Sequence, residues 1–271
     1  MTERSSPILE ERTLDDLSIV DERPFRQIAI YADLKEVLRR DKYVFRVLSK
    51  GLSPRWDRAL FLNLTYWGGA GGDVLEGSRV PADVVAHAAW HHLAALAVPG
   101  KSPQALFLGE SIASAFDIYL VGRLLGSVGR SSFLESQVPA MAQSAHAAGL
   151  GGRAFEALLK GIAADPEGSF AELRHLLYQA TSALVACGGA GKAMRVLARF
   201  DGRRFAPLLH HYELSNWVLY ARAYAKGTRG AAHARAIATS LGRRASPLAW
   251  LTSQWVIPRL ADVGGRAIAA G

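Results

Sequence analysis

From Pro81 onward the chain is dominated by Ala, Leu, Val and other helix-compatible residues, broken at intervals by Gly and Pro. Such a pattern leaves room for little besides a series of packed helices. Pro81 suits a first helical turn, and Ala, Val and Leu continue to Val98, where Pro99 and Gly100 stop the helix. A second helix is predicted over roughly 103–126. Others follow near 135–148, 153–163, 169–186, 190–200, 205–226, 230–242 and 247–262. No internal repeat, heptad pattern or low-complexity tract is present.

The first 80 residues read differently. Residues 1–25 mix charges with Ser and Pro and are expected to form a loose arm. Over 31–50, Leu34, Val37, Leu38, Val44 and Leu48 recur near the helical period, which predicts one helix or two short ones. Residues 58–67 are rich in Leu, Phe, Thr, Tyr and Trp and form the best strand candidate, so a short sheet is expected near 55–80. The glycine run at 68–72 lacks the Lys-Ser/Thr of a phosphate-binding loop and reads as a plain connection. The expected fold is therefore mainly α.

Length and composition set the outer bounds. The 271 residues are 50% apolar and 21% charged, enough for a sizeable core and too apolar for disorder. The net charge of +8 is unevenly placed: residues 1–80 balance, residues 81–180 carry −2, and residues 181–271 carry +10. Arg195, Arg199, Arg203, Arg204, Arg222, Lys226, Arg229, Arg235, Arg243 and Arg244 recur there without the aromatic interleaving of a base-stacking surface. Solvated helix faces explain most of them. An anionic substrate or acidic partner is the next reading, and nucleic acid the least favoured. The single cysteine, Cys187, excludes an internal disulfide framework and a Cys-rich zinc site. The charged start shows no secretory signal, and the most apolar stretch, around 84–98, is interrupted by three histidines. A soluble cytoplasmic protein is the expectation.

The segment that carries chemistry is Asp83-Val84-Val85-Ala86-His87-Ala88-Ala89-Trp90-His91-His92. His87 and His91, four apart on a helix, lie about 40° apart around the axis and can share one metal ion. Eighteen residues separate His91 from Glu110, the only acid between Asp83 and Asp117 in a stretch otherwise fit for a core. An unpaired carboxylate there is costly, and a metal would explain it. Asp117, two turns further on, shares the face of Glu110 and is placed to hold a ligand histidine.

This arrangement resembles the gluzincin metallopeptidases, and in particular the aminopeptidase N family, whose signature is His-Glu-x-x-His, eighteen residues, then Glu. Gly109-Glu110-Ser111-Ile112-Ala113-Ser114-Ala115-Phe116-Asp117 resembles that family's second ligand helix, including an acid seven residues beyond the ligand. The resemblance spans roughly 60–200. It implies a truncated zincin-like helical core at 26–200 followed by a basic helical region at 201–271. It further implies zinc held by His87, His91 and Glu110, Asp117 behind a ligand, and hydrolysis of a peptide or amide substrate. Leu176-Leu177-Tyr178-Gln179-Ala180 resembles the helix whose tyrosine stabilises the oxyanion, which makes Tyr178 the candidate for that role.

Two departures stand beside the match, the first bearing on hydrolysis and the second on exopeptidase specificity. Ala88 stands where the family has the glutamate that takes a proton from the attacking water, and loss of a general base costs about 10²–10⁴-fold. The change, natural or introduced, predicts an inactive or weakened hydrolase. The family's Gly-x-Met-Glu-Asn strand, which grips the substrate amine, has no counterpart around 67–73. The alternative is a non-catalytic helical module that binds a peptide or protein.

Weaker candidates remain. Glu172 and His175 match half of a di-iron carboxylate pattern, with no second pair in that order. His210-His211-Tyr212-Glu213 forms a polar patch that reads as a metal ligand or, more simply, a solvated turn. Trp90, Trp217, Trp250, Trp255 and Cys187 read as core.

Overall fold

The computed structural model describes residues 9–48, 74–126 and 131–261. The strand candidate at 58–67 and the glycine run at 68–72 lie outside the described residues. In chain order the elements begin with β1 (Leu9–Thr13), β2 (Ser18–Val20), α1 (Glu22–Phe25), α2 (Ala29–Arg40) and β3 (Val44–Leu48). Next come β4 (Val74–Leu75), β5 (Arg79–Pro81), α3 (Ala82–Ala97), α4 (Pro103–Leu125), α5 (Ser132–Ala147), α6 (Gly152–Ala164) and α7 (Pro166–Leu184). The chain continues through α8 (Ala190–Leu197), α9 (Leu214–Tyr224), α10 (Ala231–Gly242) and α11 (Pro247–Leu251). A π-turn (Thr252–Val256) then leads into α12 (Ile257–Ala261). The fold is mainly α.

Two expectations for the first third are corrected. Residues 9–25, expected as a loose arm, are folded: β1 pairs antiparallel with β3, from Leu9↔Leu48 to Thr13↔Val44, and Phe25 is fully buried. Residues 44–48, expected to be helical, form β3, which also pairs parallel with β4. The cause is local: Lys42 takes a left-handed conformation (φ 48°) that ends the helical path after Arg40, and Val-Phe-Arg-Val-Leu then suits a strand. A second, two-stranded parallel pair joins β2 to β5 and delivers the chain directly into α3.

The helical part follows its punctuation closely. Ser102 accepts a hydrogen bond from the Ala105 amide at 3.3 Å, with Pro103 behind it, and so starts α4. Asp165 does the same for α7 through the Gly168 amide at 2.8 Å. The helix expected over 205–226 is broken, since Pro207 sits in a short 3₁₀ turn and Glu213 is left-handed (φ 49°), leaving α9 to begin at Leu214.

α4 is the axis of the molecule. Sixteen of its residues are buried, from Phe107 to Leu124, as befits a helix that is apolar around most of its circumference. By length and hydropathy it is long and apolar enough to cross a membrane, yet 89% of its most apolar window is covered by the rest of the chain. α3 and α7 pack on it most extensively, with α6, α9 and α10 around them. One continuous cluster of buried side chains runs from Leu14 to Val256, so neither the boundary expected near 25 nor the one near 200 separates two cores. Trp90, Trp217, Trp255 and Cys187 belong to this cluster, and Trp250 packs against it half-buried.

α4 comes very close to its neighbours α6 and α7 at Gly122. A Cβ there would lie 2.6 Å from the Ile162 carbonyl oxygen and 3.0 Å from the Pro166 ring. Backbone cannot yield as a side chain does. Gly122→Ala is therefore expected to destabilise the fold by about 1–3 kcal/mol, read as a lower midpoint in urea unfolding.

Candidate metal centre

α3 and α4 run antiparallel, and their facing residues meet in pairs: His91 opposite Glu110, and His87 opposite Asp117. His87 and His91 share one face of α3 because a helix returns to nearly the same bearing after four residues. The His91 ring lies against Gly109, where even a Cβ would sit in ordinary van der Waals contact, 3.6 Å from Nδ1.

The distances are short. His87 Nε2 and His91 Nε2 are 3.2 Å apart, and Glu110 Oε2 lies 3.5 Å from His91 Nε2. One donor atom from each of the three residues falls within 4.8 Å of the other two. His87 Nδ1 is 3.2 Å from Asp117 Oδ2. A carboxylate at that nitrogen holds the proton on Nδ1, which leaves the Nε2 lone pair facing His91 and Glu110. Two imidazole nitrogens and a carboxylate so converged can hold a metal ion.

Glu110 is 7% exposed in the middle of the central helix, and the two histidines are partly open to solvent. The cluster therefore has a buried acidic floor and a wetter imidazole side. Ala88, one residue past the first histidine, is 2% exposed and presents only a methyl group to the core.

Several further residues are coupled electrostatically to the carboxylates of the cluster. Asp83, one turn before His87, has its carboxyl pushed up to about 6 by burial and by the nearby Asp117 charge. Tyr220 on α9 has its phenol pushed up to about 12 by burial and by the charge of Glu110. The phenol of Tyr212, a buried residue, is also raised by burial and by the charge of Asp117. His211 is lowered by burial, against the pull of Asp117, and sits 3.1 Å from Gln137 Oε1. His211 and Tyr212 belong to the polar patch at 210–213 that the sequence offered as a metal ligand or a solvated turn, while Tyr220 carries no motif. Tyr212, His211 and Tyr220 arrive from far along the chain.

Other candidates are placed elsewhere. Tyr178 on α7 has its phenol raised by burial, and the charges acting on it are those of Arg235 and Arg174, with none from the His87–His91–Glu110 cluster. Its hydroxyl and Ser182 Oγ are neighbours without a well-formed hydrogen bond between them. The tyrosine that feels the Glu110 carboxylate is Tyr220. Glu172 pairs with Arg204 at 3.6 Å, which engages it outside any di-iron pattern. His92 is structural: its Nε2 lies 2.6 Å from Asp41 Oδ2, and Arg259 meets the same carboxylate oxygen at 3.2 Å. That triad ties α3 to the end of α2 and to α12.

No protein family, no curated protein and no solved structure matches this chain. The reading of the site therefore rests on its own chemistry.

Proposed function

We propose that the chain is a zinc-binding hydrolase of the metallopeptidase kind, directed at peptide or amide bonds and weakened by the alanine at position 88. One observation carries the reading. Zinc bonded tetrahedrally at about 2.0–2.1 Å places neighbouring ligand atoms about 3.3 Å apart, and the Nε2–Nε2 and Nε2–Oε2 separations here are 3.2 and 3.5 Å. Two neutral imidazoles and one carboxylate are also the donor set that zinc takes while leaving a position open. When bound, the ion would polarise a carbonyl and make water more acidic.

The chain's own groups divide the remaining work. Asp117 orients His87 through Nδ1. Glu110 brings the negative charge that offsets the ion in a buried setting. Tyr220, whose phenol stays protonated well above neutrality, is the group to donate a hydrogen bond to a developing oxyanion. Position 88 offers no carboxylate for proton transfer.

A second reading follows from Ala88 itself. A methyl group sealed in the core suits a metal-holding module that binds a peptide without cleaving it. Metal analysis after equilibration with zinc should find about one ion per chain, lost in His87→Ala. Ala88→Glu should then switch on cleavage of a peptide library. Zinc retained with no cleavage selects the binding module, and no zinc in the unaltered chain removes both readings.

A further inference from the structure

The basic excess of the C-terminal third is concentrated and largely unanswered. Residues 214–261 contain seven Lys and Arg and no Asp or Glu. Some of these cations have tasks: Arg222 donates to the carbonyls of Val185 and Cys187, and Arg259 pairs with Asp41. Among the described residues, no carboxylate lies within ion-pair distance of Arg235, Arg243 or Arg244. These three, with Ala236, Thr239 and Ser240, line a groove of about 520 Å³ along one face of α10. Arg244 is held in place by stacking over the Trp250 ring at 4.8 Å.

The helix beneath the groove adds to the same field. α10 packs on α7, with Gly242 so close to His175 that a Cβ there would lie 3.2 Å from its Nδ1. Arg174, on α7 one position before His175, is fully buried, and none of its three guanidinium nitrogens has a hydrogen-bond partner. Tyr178 and Ser182, one and two turns on, also hold unpaired buried hydroxyls. The charges of Arg235 on α10 and Arg174 on α7 both act on the Tyr178 phenol. The neighbouring acid on α7, Glu172, is engaged by Arg204.

We propose that the groove along α10, on the helix that packs over α7, is a binding site for a small phosphorylated ligand, gripped by Arg235, Arg243 and Arg244 with the hydroxyls of Thr239 and Ser240. Guanidinium forks match the oxygens of a phosphate, and several of them together call for a ligand bearing more than one negative charge. The hydroxyls add neutral donors to the same oxygens. The groove volume falls within the roughly 300–1,000 Å³ of small-molecule sites, whereas a nucleic-acid track needs open aromatic rings, and the Trp250 ring beside the groove is already stacked on by Arg244. Arg174 acts from behind as a fixed positive charge in a low-dielectric setting, where its field is poorly screened.

The probe is inorganic pyrophosphate, titrated calorimetrically into the full chain at constant ionic strength. Saturable one-site binding is expected, retained in His87→Ala, so that this site stands apart from the metal centre. The double variant R235A/R243A, altered only at exposed positions, should bind about tenfold or more weakly with an unchanged unfolding midpoint. No binding, binding unchanged in the double variant, or equal competition by sulfate at matched ionic strength overturns the proposal. Capture on vesicles bearing phosphorylated inositol lipid, without pyrophosphate binding, overturns the assignment to a small soluble ligand.

Discussion

Glu110→Gln is expected to abolish stabilisation of the protein by zinc while leaving the metal-free fold as stable as before, or slightly more so. Glutamine keeps the shape of a side chain packed into the central helix, so no cavity opens. It removes a charge that is 7% exposed and whose facing partner is His91, 3.5 Å away. In the absence of metal the loss of that pair is offset by the lower desolvation cost of a neutral amide. In the presence of metal the balance reverses. A ligand at a hundred times its dissociation constant stabilises the native state by about 2.7 kcal/mol, or roughly 5–10 °C in midpoint for a chain of this size. The variant forfeits nearly all of it. Thermal unfolding with chelator and with excess zinc, on both proteins, gives the four midpoints required. If Glu110 serves only as the ion-pair partner of His91, zinc moves neither protein and the variant is the less stable under both conditions.

The residues of that experiment were legible from sequence because every signal for them is local. His87 and His91 sit at helical spacing, Glu110 is an isolated acid in an apolar run, and Pro and Gly mark the ends of both helices. Antiparallel packing of adjacent helices then brings them together with few alternatives. Tyr220 was not legible for the opposite reason. It lies 110 positions from Glu110 in a helix with no distinguishing motif, and only the packing of α9 against α4 brings its phenol under the charge of Glu110. Tyr178 stood in a more suggestive local sequence, yet the charges that act on its phenol are those of Arg235 and Arg174. The same division holds for the fold. The spacing over 44–48 satisfied a helix as well as a strand, and the strand won through pairing with Leu9–Thr13, more than thirty positions away. A segment rich in charge looked loose in isolation because its partner strand is not in its own neighbourhood.

Arg174→Met is expected to raise stability, against the usual sign for a change in a protein core. The side chain is fully buried, its three guanidinium nitrogens are unpaired, and burial pushes the guanidinium down to about 10. A buried cation without a hydrogen-bonded counter-charge is among the least favourable features a core can hold. Methionine retains an unbranched stem to fill the channel that the arginine methylenes occupy, and its flexibility accommodates the shorter reach. Replacement of buried charge by apolar side chains of similar volume is neutral to stabilising by about 1–4 kcal/mol, here a rise of several degrees in midpoint. The gain should be largest at low phosphate and should shrink as pyrophosphate is added, because an anion in the α10 groove stabilises the protein that keeps its cation. A lowered midpoint in phosphate-free buffer would mean that Arg174 holds the core through contacts stronger than packing. A gain indifferent to pyrophosphate would mean that its charge plays no part at the groove.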